Sequence, residues 1–155
     1  MEKEELLKTV NGKNVTCAVV MIDKEGSILG CHPTSRSEVY DFPKGCAGFA
    51  EKDEDAAVRE LQEETSILLT PNELARLVDG GIHPHTKEKL IHIFILRVDE
   101  LPDPESLVCE SFYEYKGKTY PEVDRYAIIT RDKRNLFFGC LQDKFEIIDS
   151  IASLM

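Results

Sequence analysis

From Val15 to Ile22 the chain runs VTCAVVMI, a near-continuous apolar stretch rich in β-branched residues. Its length and composition predict a strand buried on both faces. Asp23-Lys24-Glu25-Gly26 is turn chemistry, and Ser27 to Cys31 is expected to return as the second strand of a hairpin. His32 to Gly48 carries prolines and glycines and reads as loop. A helix is predicted from Asp53, with Asp53 or Glu54 as its cap and no glycine or proline through Thr65. Thr70-Pro71-Asn72-Glu73 is a capping box with proline at the first helical position, so a short helix should reach about Arg76. Leu77 to His83 and Lys89 to Val98 are expected as strands joined through His-Pro-His-Thr-Lys. Leu107 to Tyr115 and Val123 to Thr130 read as two more, with Lys116-Gly117-Lys118 as the turn between them. Leu141, Phe145, Ile148, Ile151 and Ala152 fall at helical spacing and predict an amphipathic closing helix. The pattern is that of an α/β (α+β) fold, a mixed sheet covered by helices, with no repeat or linker to divide residues 1–155 into more than one domain.

The helix from Asp53 departs from a plain amphipathic pattern. At about 100° per residue, Glu60, Glu63 and Glu64 share one patch, while Val58, Leu61 and Thr65 offer a separate face to the sheet. Like charges one turn apart repel. Arg59 lies four residues before Glu63, the poorer orientation for a helical ion pair, and is not expected to cancel that repulsion. Ala56 and Ala57, one turn earlier, are expected to leave space above the carboxylates. Hard divalent cations take such oxygen clusters, and magnesium pairs a few carboxylates with substrate phosphate. On these three residues alone a solvated acidic helix face is the competing reading.

Charge sharpens the choice. Lys plus Arg number 19 against 29 Asp plus Glu, a net charge of −10 over 155 residues. Such a chain repels nucleic-acid backbones and anionic lipid, and accepts a phosphorylated small molecule only together with something cationic. The start, MEKEELLKTV, lacks the apolar core of a signal peptide, and no run is long enough to span a bilayer, so a soluble protein is expected. The 5 cysteines are scattered without a C-x-x-C pair, which suggests reduced thiols and a cytoplasmic location.

The loop before the helix decides between the two readings of the acidic face. Gly45, Glu51, Arg59-Glu60-Leu61, Glu63-Glu64 and Ile67 stand at the spacing of one signature. Together they closely resemble the box of the Nudix hydrolases: glycine, five residues, glutamate, seven residues, Arg-Glu-aliphatic, one residue, Glu-Glu, one residue, Gly-aliphatic. Every specified position matches except Ser66, where that family has glycine. A serine at a left-handed helix stop is expected to cost about 1 kcal/mol and to remove no metal ligand. Tyr40-Asp41-Phe42-Pro43-Lys44-Gly45 is similar to the Trp-x-x-Pro-Lys-Gly lead-in of members that cleave dinucleoside polyphosphates, with Tyr40 in place of tryptophan. Pro121-Glu122-Val123-Asp124 resembles a Pro-Glu-x-Asp element that in several members brings one more glutamate to the metals.

The resemblance implies a Nudix fold and metal-dependent hydrolysis of a pyrophosphate bond in a nucleoside diphosphate linked to a group X. A dinucleoside polyphosphate is the first expectation for the substrate. Nucleoside triphosphates, ADP-ribose-type compounds and RNA 5′ ends are the alternatives, as is a binding module without turnover. The implied ligands of magnesium (or manganese) are Glu60, Glu63 and Glu64 with the Gly45 carbonyl, supported by Glu51. Arg59 would orient a carboxylate and Lys44 would contact phosphate. The base stays open among Glu63, Glu64, Glu122, Glu110 and Glu114, with Glu122 favoured by its element. The expected partner is a small nucleotide, with no membrane and no non-specific nucleic acid, the protein being a monomer or homodimer. Histidines 83, 85 and 92 lack zinc-ligand spacing. His83, His85, Lys87 and Lys89 form a basic segment that could touch distal phosphates, but a solvated hairpin end is the commoner reading and they stand outside the expected site.

Overall fold

A computed structural model describes residues 6–36 and 38–155. The apolar run is the strand β2 (Lys13–Ile22), entered by a two-residue turn from the short β1 (Thr9–Val10). Asn11 and Gly12 in that turn both hold positive φ, 52° and 76°, which suits the Asn-Gly pair to a tight hairpin. Next come β3 (Ile28–Pro33), β4 (Lys44–Cys46), the helices α1 (Asp53–Thr65) and α2 (Pro71–Arg76), and the hairpin β5 (Val78–Thr86) and β6 (Lys89–Arg97). The chain closes with β7 (Phe112–Tyr115), β8 (Lys118–Pro121), β9 (Val123–Ile129), two 3-10 segments and α3 (Phe145–Ala152). No described helix is long and apolar enough to cross a membrane.

The main sheet runs β5-β6-β2-β3-β9, with β1 and β4 also paired to β2. β2 is parallel to β6 from Asn14 to Ile22 and antiparallel to its other neighbours, so the sheet is mixed as expected. Side chains along β2 alternate between two cores. Val15, Cys17, Val19 and Met21 pack under α1 with Ala56, Ala57, Leu61 and Phe94. Ala18, Val20 and Ile22 face the opposite layer, where Leu141, Phe145, Ile148 and Ala152 seal the sheet.

Four expectations are corrected. The segment 32–48 is not all loop, because Lys44–Cys46 pairs antiparallel with Thr16–Ala18. The expected strand from Leu107 is regular only from Phe112, and Lys116-Gly117 turns it into an unforeseen β8, forming a separate two-stranded ribbon. The turn after β5 is Lys87-Glu88, and Pro84 stays within this edge strand, where a missing N–H is tolerated. Finally, Lys52 rather than Asp53 occupies the cap position of α1, and it makes no side-chain capping bond. Asp53 instead takes Lys8 at 2.6 Å and His92 at 2.7 Å, tying the first turn of the helix to β6 and the amino-terminal segment.

Candidate active site

α1 presents its carboxylates because its other face is anchored. Ala56, Ala57, Leu61 and Thr65 are fully buried, whereas Val58 is only half-buried. The two alanines therefore pack against the sheet rather than opening space over the carboxylates, since a small residue lets helix and strand approach closely. Rotation about this seam leaves Glu60 and Glu64 at the boundary between core and cavity and Glu63 further out. Side-chain exposure is 12% for Glu60 and 41% for Glu63, while Glu64 is 8% exposed overall.

Arg59 holds the group together more firmly than helix geometry suggests. Its Nε and Nη2 donate to the two oxygens of Glu51 at 2.8 and 3.0 Å, and Nη1 donates to Glu60 at 2.8 Å and to Glu63 at 3.2 Å. Nη2 also donates to the Cys46 carbonyl at 3.3 Å, which fixes the guanidinium against β4. Glu51 in turn accepts from the Gly48 N–H at 3.0 Å. One arginine thus bridges three carboxylates, and its hydrogen bond with Glu51 holds the Glu51 carboxyl below its ordinary range.

Burial works the other way on the two inner acids. It pushes Glu60 up to about 7, against the pull of Arg59 and helped by the charges of Glu63 and Glu122. It pushes Glu64 up to about 8, a rise opposed by the Lys44 N–H bond at 3.1 Å and increased by Glu60 and Glu122. Gly45 explains how Glu60 fits. A Cβ there would come within 2.1 Å of the Glu60 carboxyl carbon, so only glycine lets this carboxylate lie against the β4 backbone.

The cavity beside these residues holds about 290 Å³ and is lined by Asp41, Lys44, Gly45, Glu64, Lys89 and Glu122 among others. Lys44 is set by Asp41, at 3.1 Å from its carboxylate. Burial would lower the Lys44 pKa, but Asp41 and Glu64 outweigh it and keep the ammonium charged. Glu122 arrives from the bend between β8 and β9, where its N–H donates to Ser111 O at 2.8 Å and its carbonyl accepts from Thr34 at 3.1 Å. Glu110 and Glu114 are absent from the lining, and Glu110 instead donates its N–H to Glu63 O at 2.7 Å. Lys89 and Asp41 are charged lining residues outside the site expected from the sequence. For Lys89 the clue was its place in the basic segment, but only the parallel pairing of β6 with β2 carries it to the cavity.

Ser66 adopts the left-handed conformation (φ 65°) that the family's glycine would supply. Its hydroxyl donates to Val108 O at 2.6 Å, so the departure from glycine ties the helix end to the segment leading to the ribbon. Two of the histidines are committed elsewhere: His92 lies between Asp53 and Asp79, each at 2.7 Å, and His83 bonds Gly80 O at 2.7 Å.

Among the described residues no three His, Cys, Asp or Glu side chains converge closely enough to form a finished metal site. The donor set nevertheless fits a divalent cation. Glu60 and Glu64 are oxygen donors whose burial disfavours their charge. Glu60 lies against the Gly45 backbone beside Arg59 and Glu64 is held by the Lys44 N–H, so a divalent cation would offset the cost of keeping both ionised.

The family profile described as the NUDIX domain matches residues 12–122, most of the chain. The chain belongs to the Nudix family. As a Nudix domain it is a pyrophosphohydrolase acting on nucleotides, of a family that generally uses divalent metal ions. Similar solved structures include the MutT protein from Methanosarcina mazei Go1 (16% identity, 92% of this chain and 98% of that one, TM-score 0.57). The MutT NUDIX hydrolase from Burkholderia pseudomallei is another (14% identity, 88% and 98%, TM-score 0.62). The NUDIX domain of Shewanella oneidensis NrtR, solved with ADP ribose, matches at 10% identity over 94% and 91%, TM-score 0.64. At these identities the likeness is one of fold. No curated protein matches the Nudix chain significantly.

Proposed function

We propose that this single domain, residues 1–155, hydrolyses a dinucleoside polyphosphate or a related nucleoside diphosphate derivative at a P–O–P bond, using magnesium or manganese. The carrying observation is one cavity lined by two carboxylates, Glu64 and Glu122, and two lysines, Lys44 and Lys89, with the desolvated Glu60 pressed against the Gly45 that also lines it. A chain of net charge −10 that nevertheless gathers two lysines among the oxygen donors of one cavity suits a ligand carrying phosphates and metal together.

Glu60, Glu63 and Glu64, with the Gly45 carbonyl, would hold the ions, and Glu51 acts through Arg59. When bound, divalent ions neutralise phosphate charge and acidify the attacking water. Arg59 positions Glu60 and Glu63 by its shared hydrogen bonds. Lys44, held by Asp41, and Lys89 bind the phosphates that flank the scissile bridge. Glu122 takes the proton of the attacking water at its carboxylate. In support, it faces the same cavity as Glu64, and its charge raises both inner glutamates. The phosphate on the far side of the bridge leaves.

Retained, mutually repelling carboxylates favour turnover over a binding module, which has no use for them. With all five cysteines free, the enzyme suits a reducing compartment such as the cytoplasm. The test is a panel of dinucleoside polyphosphates, nucleoside triphosphates and ADP-ribose with magnesium or manganese, products identified by mass. Preferential cleavage of the first class supports the reading, and cleavage of none of the panel refutes it.

A further inference from the structure

Tyrosine is concentrated on the β7–β8 ribbon, which belongs to no part of the main sheet. Tyr113 pairs across the ribbon with Tyr120, their rings stacked with centroids 5.8 Å apart and planes 29° from parallel. Strand alternation puts Tyr115 and its partner Lys118 on that same face. Tyr115 is 58% exposed, and Lys116 lies over its ring at 5.3 Å from the centroid. Tyr113 and Tyr120 are half-buried and Tyr115 is exposed, so part of the tyrosine face stays open to solvent.

The ribbon stands at the mouth of the cavity. Its base is closed by the Glu122 N–H bond to Ser111 O, and Glu122 lines the cavity. Tyr120 is two residues before Glu122, roughly 7 Å along an extended chain. The Tyr113 hydroxyl lies 3.4 Å from the Ser35 hydroxyl, and Ser35 is two residues past Pro33, which also lines the cavity. The tyrosine face therefore continues the cavity wall outward, starting beside the acid assigned to the water.

We propose that Tyr113 and Tyr120, extended by Tyr115, form the stacking platform for the nucleobase of the nucleotide whose phosphates enter the cavity. The proposal rests on the nucleotide reading above and adds where the base is held. A base offers a flat π face to such rings whatever its hydrogen-bonding edge, so the platform selects for a nucleobase without choosing among bases. Lys118, across from Tyr115, lies at the end of the ribbon away from the cavity, so the phosphate charge is met by the cavity lysines and the ribbon supplies the stacking face.

The chain has no tryptophan and 5 tyrosines, three of them on this ribbon, so comparing the tyrosine emission of wild type with that of the ribbon variants isolates the response of this face. AMP and ribose 5-phosphate are titrated into the full chain in EDTA. AMP is expected to quench the emission saturably and ribose 5-phosphate to leave it unchanged. Tyr120→Leu and Tyr113→Leu should weaken AMP binding about tenfold, while Tyr113→Phe keeps it within about twofold. In turnover of a nucleotide the leucine variants should raise KM by more than they lower kcat. If either leucine variant melts early, Tyr115→Ala at the open end of the ribbon replaces it, with a loss of about threefold expected. Absent quenching by AMP, or leucine variants that bind AMP like wild type, would overturn the platform. Quenching that depends on these tyrosines in a protein that cleaves no nucleotide would uphold the platform and refute the hydrolytic reading. Cleavage with unchanged AMP binding in the variants would do the reverse.

Discussion

Replacing Glu64 by glutamine isolates what the buried carboxylates cost the fold. Glu64 is 8% exposed, and its pKa rises from 4.5 to about 8 chiefly through burial. A carboxyl whose pKa is raised in the native state favours its neutral form there. Its contribution to stability is therefore complete below about pH 4.5 and is lost as pH climbs through about 8. Each tenfold in proton affinity is worth about 1.4 kcal/mol, so the loss between pH 5 and pH 9 is about 4 kcal/mol in metal-free protein. Glutamine keeps the acceptor for the Lys44 N–H and carries no charge at any pH. Urea unfolding in EDTA at pH 5, 7 and 9 should show Glu64→Gln gaining on wild type by several kcal/mol as pH rises, with similar slopes on urea. Magnesium should close the gap at pH 9, because it binds the native wild type and offsets the repulsion. A gap that stays constant from pH 5 to pH 9 would refute the claim that Glu64 is held as a desolvated acid.

Glu63→Gln should behave differently, because Glu63 is largely solvated beside Arg59: stability in thermal melts should stay within about 0.5 kcal/mol, while turnover falls by orders of magnitude. Glu122→Gln should lower kcat at neutral pH and abolish the acid-limb rise of rate with pH if Glu122 is the base, whereas a raised magnesium requirement would make it a ligand. Ser66→Ala should lose about 1–2 kcal/mol in urea unfolding, since it keeps the left-handed backbone without the bond to Val108 O, and Ser66→Gly should recover most of that loss.

What could be read from the sequence was local. The β2 run, the capping box at Thr70 and the register of Glu60, Glu63 and Glu64 along one helix depend on residues a few positions apart, and each stands where expected. What could not be read was set by distant partners. Lys44–Cys46 is a strand only because β2 lies beside it, and Lys89 reaches the cavity only through the parallel pairing of β6. Ala56 and Ala57 looked like room for a ligand but are the contact that seats the helix, since sequence alone cannot tell a small residue facing a sheet from one facing solvent. The reach of Arg59 to Glu51 and Cys46 O likewise needed the fold of the intervening loop. The Asn11-Gly12 turn, by contrast, is a local signal, an Asn-Gly pair just before the apolar run.

The most direct test of the central claim is turnover of a dinucleoside polyphosphate in ¹⁸O-labelled water as magnesium is added back to EDTA-stripped protein. The account predicts no turnover before magnesium, a saturable rise with it, label in one phosphate-bearing product, and flat responses from Glu63→Gln and Glu64→Gln. Turnover that persists in EDTA, or that survives undiminished in Glu64→Gln, would contradict it.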